Sequence, residues 1–83
     1  MSDLQAPTVA ATVTRLWQEL HGIDGIDADD GFFELGGDSI VAARLVGRVR
    51  KELGVDVSLV VIFDNVTLKQ LIAHTEGLVS RRD

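Results

Sequence analysis

The sequence has no cysteine, and this absence excludes a disulfide framework, a thiolate metal site and a cysteine nucleophile. No apolar run comes near the roughly 18 residues of a membrane-spanning helix, and no apolar stretch follows a basic start, so neither a transmembrane segment nor a signal peptide is predicted. Basic residues are in the minority, 8 against 13 acidic, and a net charge of −5 disfavours nucleic-acid binding. We therefore expect a cytoplasmic protein that binds neither membranes nor nucleic acids.

The chain is also short, and its 83 residues predict one domain. Most self-contained enzyme folds need roughly 150–250 residues to build a scaffold and a walled pocket. The hydrophobic fraction of 46% suffices for one compact core and argues against disorder. We expect a single domain over residues 1–83 with an ordered core from about 8 to 78 and loose ends at 1–6 and 80–83.

Apolar residues recur at helical spacing in two long segments. The first segment predicts a helix over about residues 8–21, ended by Gly22. The second predicts a helix that begins at Asp38 or Ser39 and closes at Gly54. Asp38 is the expected N-cap, because its carboxylate can accept hydrogen bonds from free backbone N–H groups and complements the helix dipole.

The C-terminal third is predicted to hold two further helices. The segment 55–63 has strand propensity, but nothing else in the chain indicates a strand, and an isolated strand leaves its backbone groups unpaired. We therefore predict a short helix over about 59–64, capped by Ser58. Thr67 and Gln70 form a capping box for a last helix to about residue 77. The predicted fold class is all-α, a small four-helix bundle of three main helices and one short helix.

A long loop separates the first two predicted helices. Residues 22–37 include five glycines and five acidic residues and show no helical period. We predict an ordered loop that apolar side chains hold against the core. These are Ile23, Ile26, Phe32, Phe33 and Leu35. Ordered loops of this length in compact domains are often functional.

The end of this loop places two glycines and a serine at a helix N-terminus. Glycines allow a sharp turn and the close approach of a partner, and a helix N-terminus favours an attached phosphate. Segment 32–40, FFELGGDSI, resembles the signature of peptidyl carrier proteins, the thiolation domains of nonribosomal peptide synthetases within the acyl-carrier-like superfamily. The resemblance extends over about residues 8–78. One departure is Val66, which stands where the family often has a proline.

The resemblance implies a non-catalytic carrier. In this family the motif serine, here Ser39, receives a covalent 4′-phosphopantetheine group from coenzyme A, and a magnesium-dependent phosphopantetheinyl transferase installs it. Gly37 and Asp38 are the other expected cofactor-site residues, with Asp38 either capping the helix or contacting the transferase. The thiol of the arm then carries an amino acid or peptide as a thioester. The implied partners are the transferase, an adenylation enzyme and a downstream condensation, tailoring or epimerisation enzyme.

Other positions match family residues that meet partner domains. They are Ile40, Ala43, Arg44, Val60, Val61 and Phe63. For at least two of the last three, burial is the competing expectation, and Phe32, Phe33 and Leu35 are expected to be core anchors. Arg48 belongs to a basic face that either binds partners or is merely solvated. We expect a monomeric, free-standing carrier.

Four alternatives differ from this interpretation, and the plainest is a helical interaction module that carries no cofactor. An acyl carrier of a polyketide or fatty-acid pathway shares the serine chemistry, but such carriers typically have an acidic second helix and lack the aromatic pair. Segment 37–40, GDSI, resembles the nucleophile block of an esterase, but the chain is short and its histidines, His21 and His74, lie near predicted helix ends. A calcium loop starting at Asp27 has Gly31 one position too early for its turn glycine and has Asp38 where the last ligand should be a glutamate.

Overall fold

The structure, a computed structural model, describes residues 8–22 and 29–81. In chain order its helices are α1 (Val9–His21), α2 (Ser39–Leu53), α3 (Leu59–Phe63) and α4 (Leu68–Arg81). The predicted all-α architecture of three main helices and one short helix is confirmed. The expected loose N-terminus, residues 1–6, lies outside the described residues.

The helix starts are capped, by Asp38, Ser58 and the Thr67–Gln70 box as predicted and also by Thr8. Side-chain oxygens of Thr8, Asp38 and Ser58 each accept a backbone N–H two or three residues ahead, at 3.0, 2.9 and 3.2 Å. Thr67 and Gln70 form the reciprocal capping box, with N···O distances of 3.0 and 3.1 Å. Such caps contribute about 1 kcal/mol each. Local sequence therefore determines where each helix begins.

The ends of α1 and α2 are also those predicted. Gly22 and Gly54 are both left-handed, with φ of 71°, and the N–H of each donates to the carbonyl four residues back at 2.9 Å. Glycine adopts this conformation without the steric penalty of a Cβ, so each residue closes its helix.

The end of α4 differs from the prediction. The helix runs to Arg81, whereas the sequence predicted an end near Gly77 and a loose tail over residues 80–83. The tail prediction is wrong for its first two residues. Leu78 and Val79 pack against the core and carry the apolar face of the helix past Gly77.

The core lies where α1 packs against α2 and α4, while α3 rests on α2. Its fully buried side chains include Leu16 and Trp17 of α1, Leu45 of α2, Ile62 of α3 and Leu71 of α4. Burying a large apolar side chain contributes about 1.5–3 kcal/mol, so these contacts provide most of the stability of the domain.

The described part of the loop before α2, residues 29–38, is held by its aromatic pair. Phe32 is fully buried and Leu35 is half-buried, which confirms both as anchors. Phe33 was expected in the core, but 38% of it is exposed. Its ring lies instead against Phe63 on the surface, with centroids 6.4 Å apart and planes inclined by 25°. Ile23 and Ile26 lie outside the described residues.

Candidate functional site

Ser39 is the first residue of α2 and is exposed. The preceding residue, Asp38, is extended, and its Oδ1 accepts the Val41 N–H at 2.9 Å. The capping role of Asp38 is therefore confirmed, and a contact with a transferase stays a prediction. Among the described residues the Ser39 hydroxyl has no hydrogen-bond partner. It is open to a group that approaches from outside.

The two glycines before Asp38 are required by the path of the chain. Gly36 has a φ of 92°, a left-handed value that favours glycine. A Cβ on Gly37 would lie 2.4 Å from Cε2 of Phe32, so no larger residue fits against this ring. The Gly37 N–H donates to the carbonyl of Phe32 at 3.1 Å. The glycine pair thus turns the chain tightly from the buried Phe32 onto the start of α2.

The predicted partner residues on α2 are exposed beside Ser39. Ile40 is 65% exposed, and Ala43 and Arg44 are exposed as well. Arg44 has no ion pair among the residues that the structure describes. The first turns of α2 therefore present an exposed apolar group and an exposed cation next to the serine.

The predicted partner residues on α3 correct one expectation. Burial was expected for at least two of three, yet Val60 is 67% exposed and Phe63 is 49% exposed, while Val61 is half-buried. The physical reason is the length of α3. A helix of five residues turns only one side chain fully inward, and that side chain is Ile62.

Among the described residues, the exposed large hydrophobic side chains come from the loop, the start of α2 and α3; the loop and α3 meet through the rings of Phe33 and Phe63, and α2 contacts α3. We call these side chains the apolar patch. It consists of Phe33, Ile40, Leu59, Val60 and Phe63. Sequence reasoning missed Leu59, although its place directly after the capping Ser58 marks the first turn of a short helix. Exposed apolar side chains gathered in this way typically mark a protein interaction site.

Arg48 is in a different situation from Arg44. Its guanidinium lies 3.3 Å from Glu19 of α1 and 3.2 Å from Glu52 of α2. Arg15 of α1 also pairs with both carboxylates. We call these four residues the charge network. Sequence reasoning missed it, although Arg15 with Glu19 and Arg48 with Glu52 both have the i, i+4 spacing of helical ion pairs.

The charge network shifts the pKa values of two of its members. Hydrogen bonds to Glu52 and then Glu19 raise the pKa of Arg15 above its ordinary value. Burial alone would raise the pKa of Glu52, but hydrogen bonds from Arg15 and Arg48 outweigh it and lower the pKa. All four side chains are partly exposed, so water screens these ion pairs and their contribution to stability is modest.

The geometry does not support the two alternative sites. Both ring nitrogens of His21 lie against backbone carbonyls, Nδ1 at 2.8 Å from Trp17 O and Nε2 at 3.2 Å from Phe32 O. His21 is thus engaged in holding the loop and is not arranged as a catalytic base. No group of three metal-ligating side chains occurs within residues 8–22 and 29–81. Asp27, the first residue of the calcium alternative, lies outside those ranges.

Comparison with known proteins agrees with this site. The family model of the phosphopantetheine attachment site matches residues 11–75, and the chain belongs to that family. The chain is 37% identical over 78 residues to tyrocidine synthase 2 of Brevibacillus parabrevis, a match that covers 92% of this chain and 2% of the relative. It is 41% identical over 61 residues to a dimodular nonribosomal peptide synthase of Bacillus subtilis, covering 74% and 3%. The chain therefore spans a small fraction of these relatives.

Solved structures sharpen this assignment. One similar chain occurs in the complex of the phosphopantetheine transferase Sfp with coenzyme A and a peptidyl carrier protein (TM-score 0.77, 28% identity, 87% of this chain and 94% of that chain). Another is a prototype of the peptidyl carrier domains of modular peptide synthetases (TM-score 0.70, 30% identity, 86% and 93%). The chain is thus a peptidyl carrier domain of the nonribosomal peptide synthetase type, with a covalently attached phosphopantetheine as its cofactor.

Proposed function

We propose that Ser39 is the residue to which the phosphopantetheine is attached. Only two serines, Ser39 and Ser58, fall within the part of the chain that matches the family. The Ser58 hydroxyl accepts the Val60 N–H at 3.2 Å and caps α3. The Ser39 hydroxyl is exposed and, among the described residues, unpartnered. This difference between the two serines is the observation that carries the proposal.

The start of α2 suits a phosphate ester. The backbone N–H groups of Ser39 and Ile40 belong to the first turn, where no helical carbonyl can accept them, and the positive end of the helix dipole favours an anion. The Asp38 Oδ1 accepts the Val41 N–H, so this carboxylate caps the helix beside the serine. The residues present therefore fit the cofactor.

Attachment requires Ser39 as the nucleophile. Its hydroxyl oxygen bonds to the pantetheine-bearing phosphorus of coenzyme A, the pyrophosphate bond breaks, adenosine 3′,5′-bisphosphate leaves, and the hydroxyl proton passes to a base on the transferase. When bound, the cofactor supplies a thiol for thioester formation, a group that this chain lacks because it has no cysteine. The proposed cargo is an amino acid or a peptide.

The proposed partners are the transferase, an adenylation enzyme and a downstream condensation, tailoring or epimerisation enzyme. The exposed residues around Ser39 support a shared docking surface, made of the apolar patch together with Ala43 and Arg44. Val61 is half-buried, and Arg48 is bound in the charge network, so we expect both to contribute less. A monomeric, free-standing state and a cytoplasmic location stay predictions; in the described ranges no helix is long and apolar enough to cross a bilayer.

Intact mass after incubation with coenzyme A, magnesium and a phosphopantetheinyl transferase of broad specificity tests the attachment. We expect one added phosphopantetheinyl group on the wild type and none on Ser39→Ala. Ser80→Ala, which removes another exposed helical serine, is the matched control and should load fully. A folded wild type that gains no mass, or a Ser39→Ala variant that does, contradicts the proposal.

A further inference from the structure

Asn65 has an unusual backbone conformation. Its φ is 58°, and it is the one non-glycine residue with positive φ in residues 8–22 and 29–81. Asparagine tolerates this left-handed region better than most residues. Its N–H donates to Ile62 O at 3.1 Å, so Asn65 completes the turn that ends α3. The end of α3 accounts for the backbone conformation of Asn65, but it does not account for the position of its side chain.

The Asn65 side chain binds the loop that precedes α2. Its Oδ1 accepts the Phe33 N–H at 2.9 Å, across 32 residues of sequence. A Cβ on Gly31 would lie 2.6 Å from the Asn65 amide, so the loop backbone presses directly on this side chain. Next to it, the Phe32 N–H donates to Val66 O at 2.7 Å. Asn65 and Val66 of the turn between α3 and α4 thus bind Phe33 and Phe32 of the loop, respectively.

These contacts lead to the proposed attachment residue. The Phe32 carbonyl accepts the Gly37 N–H, and the Phe32 ring leaves no room for a side chain on residue 37. Gly37 is two residues before Ser39. Phe33 is held by Asn65 through its backbone while its ring stacks on Phe63. One side chain therefore supports both the turn that leads to Ser39 and the aromatic pair of the apolar patch.

We propose that Asn65 is a positioning residue for phosphopantetheine attachment. It holds segment 31–37 so that the transferase meets Ser39 and the Phe33–Phe63 pair in one fixed arrangement. This inference rests on the proposed role of Ser39. The effect should fall mainly on the KM of the transferase for the carrier, because Asn65 shapes the surface that docks and takes no part in the chemical step.

Two substitutions separate the side chain from the backbone. Asn65→Gly keeps the left-handed turn and removes the acceptor, whereas Asn65→Asp keeps an acceptor and also tolerates positive φ. We expect Asn65→Gly to raise the KM for the carrier about fivefold with little change in kcat, as expected for the loss of one hydrogen bond. Asn65→Asp should stay within about twofold of wild type. Asp64→Ala, in the same turn, is the matched control and should load normally.

Amide hydrogen exchange provides the second measurement. The Phe33 and Gly37 amides should exchange faster in Asn65→Gly and at wild-type rates in Asn65→Asp. A wild-type KM for Asn65→Gly, or an equal rise in KM for Asn65→Asp or Asp64→Ala, overturns the inference. Failure of the wild type itself to load refutes the role of Ser39 instead, so the two proposals fail in distinguishable ways.

Discussion

Two faces of the molecule use their side chains in opposite ways. Where α1 meets α2, the charge network pairs Arg15 and Arg48 with carboxylates of the same chain. Around Ser39, the apolar patch is exposed, and Arg44 has no ion pair in the described part of the chain. Groups paired within the domain hold its helices together, whereas groups left unpaired are available to other proteins. Arg44 and Arg48 are only one helical turn apart, yet Arg48 is paired within the domain and Arg44 has no ion pair among the described residues.

The largest expected effect comes from comparing a buried with an exposed phenylalanine. Phe32→Ala removes a fully buried ring and should lower the free energy of unfolding by about 3–5 kcal/mol. A domain of this size has only about 4–12 kcal/mol in total, so the variant should be close to unfolding. Phe63→Ala, on the apolar patch, should lower it by about 1 kcal/mol or less. Urea denaturation measures both.

Loading kinetics complete that comparison. Phe63→Ala should load with phosphopantetheine several-fold more slowly than wild type while remaining folded. Equal loss of stability in the two variants would show that the α3 face is part of the core. Unchanged loading of Phe63→Ala would show that the transferase does not use this part of the apolar patch.

A smaller effect should separate Arg44 from Arg48, two of the three arginines of α2. Arg44→Glu should reduce loading by an adenylation enzyme about threefold to tenfold, with a salt-sensitive rate and an unchanged melting temperature. Arg48→Glu places a carboxylate against Glu19 and Glu52 and should lower the melting temperature. Lys69→Glu on α4 changes the net charge equally and is the control. Similar behaviour of Arg44→Glu and Arg48→Glu would remove the distinction between the two faces.

The smallest effect is the pH dependence of the charge network. Because the pKa of Glu52 is lower in the folded chain than its ordinary value of 4.5, its contribution is complete well above that pH and is lost as the pH falls through the folded-state pKa. Melting temperatures of wild type and Glu52→Gln should therefore differ at neutral pH and converge as the pH falls below the lowered pKa of Glu52 in the folded chain. Parallel curves would show that Glu52 makes no such contribution.

Local sequence predicted the helices well because their ends depend on neighbouring residues. Thr8, Asp38 and Ser58 cap backbone groups within three residues, and Gly22 and Gly54 need only their own conformational freedom. The extension of α4 to Arg81 was not predicted, because it depends on Leu78 and Val79 finding the core. The last turn of α4 stays helical because its two apolar side chains pack against a core that other parts of the chain build.

The same distinction applies to the site. The motif around Ser39, with its glycines and its capping aspartate, could be identified from the sequence because its parts are adjacent. Exposure of Val60 and Phe63 could not, since a five-residue helix has too few turns for its buried face to show as a period. The pairing of Arg48 with Glu19 and the contact of Asn65 with Phe33 join residues 29 and 32 positions apart.

The sequence by itself therefore determined the helix starts, the ends of α1 and α2, the all-α class and the serine at the start of α2, since each depends on side chains and backbone groups a few residues apart. Only the tertiary structure decided which arginine is paired, which aromatic ring is buried and what Asn65 holds. Those outcomes depend on which surfaces meet when distant segments pack, and packing assigns each side chain either to the core or to solvent.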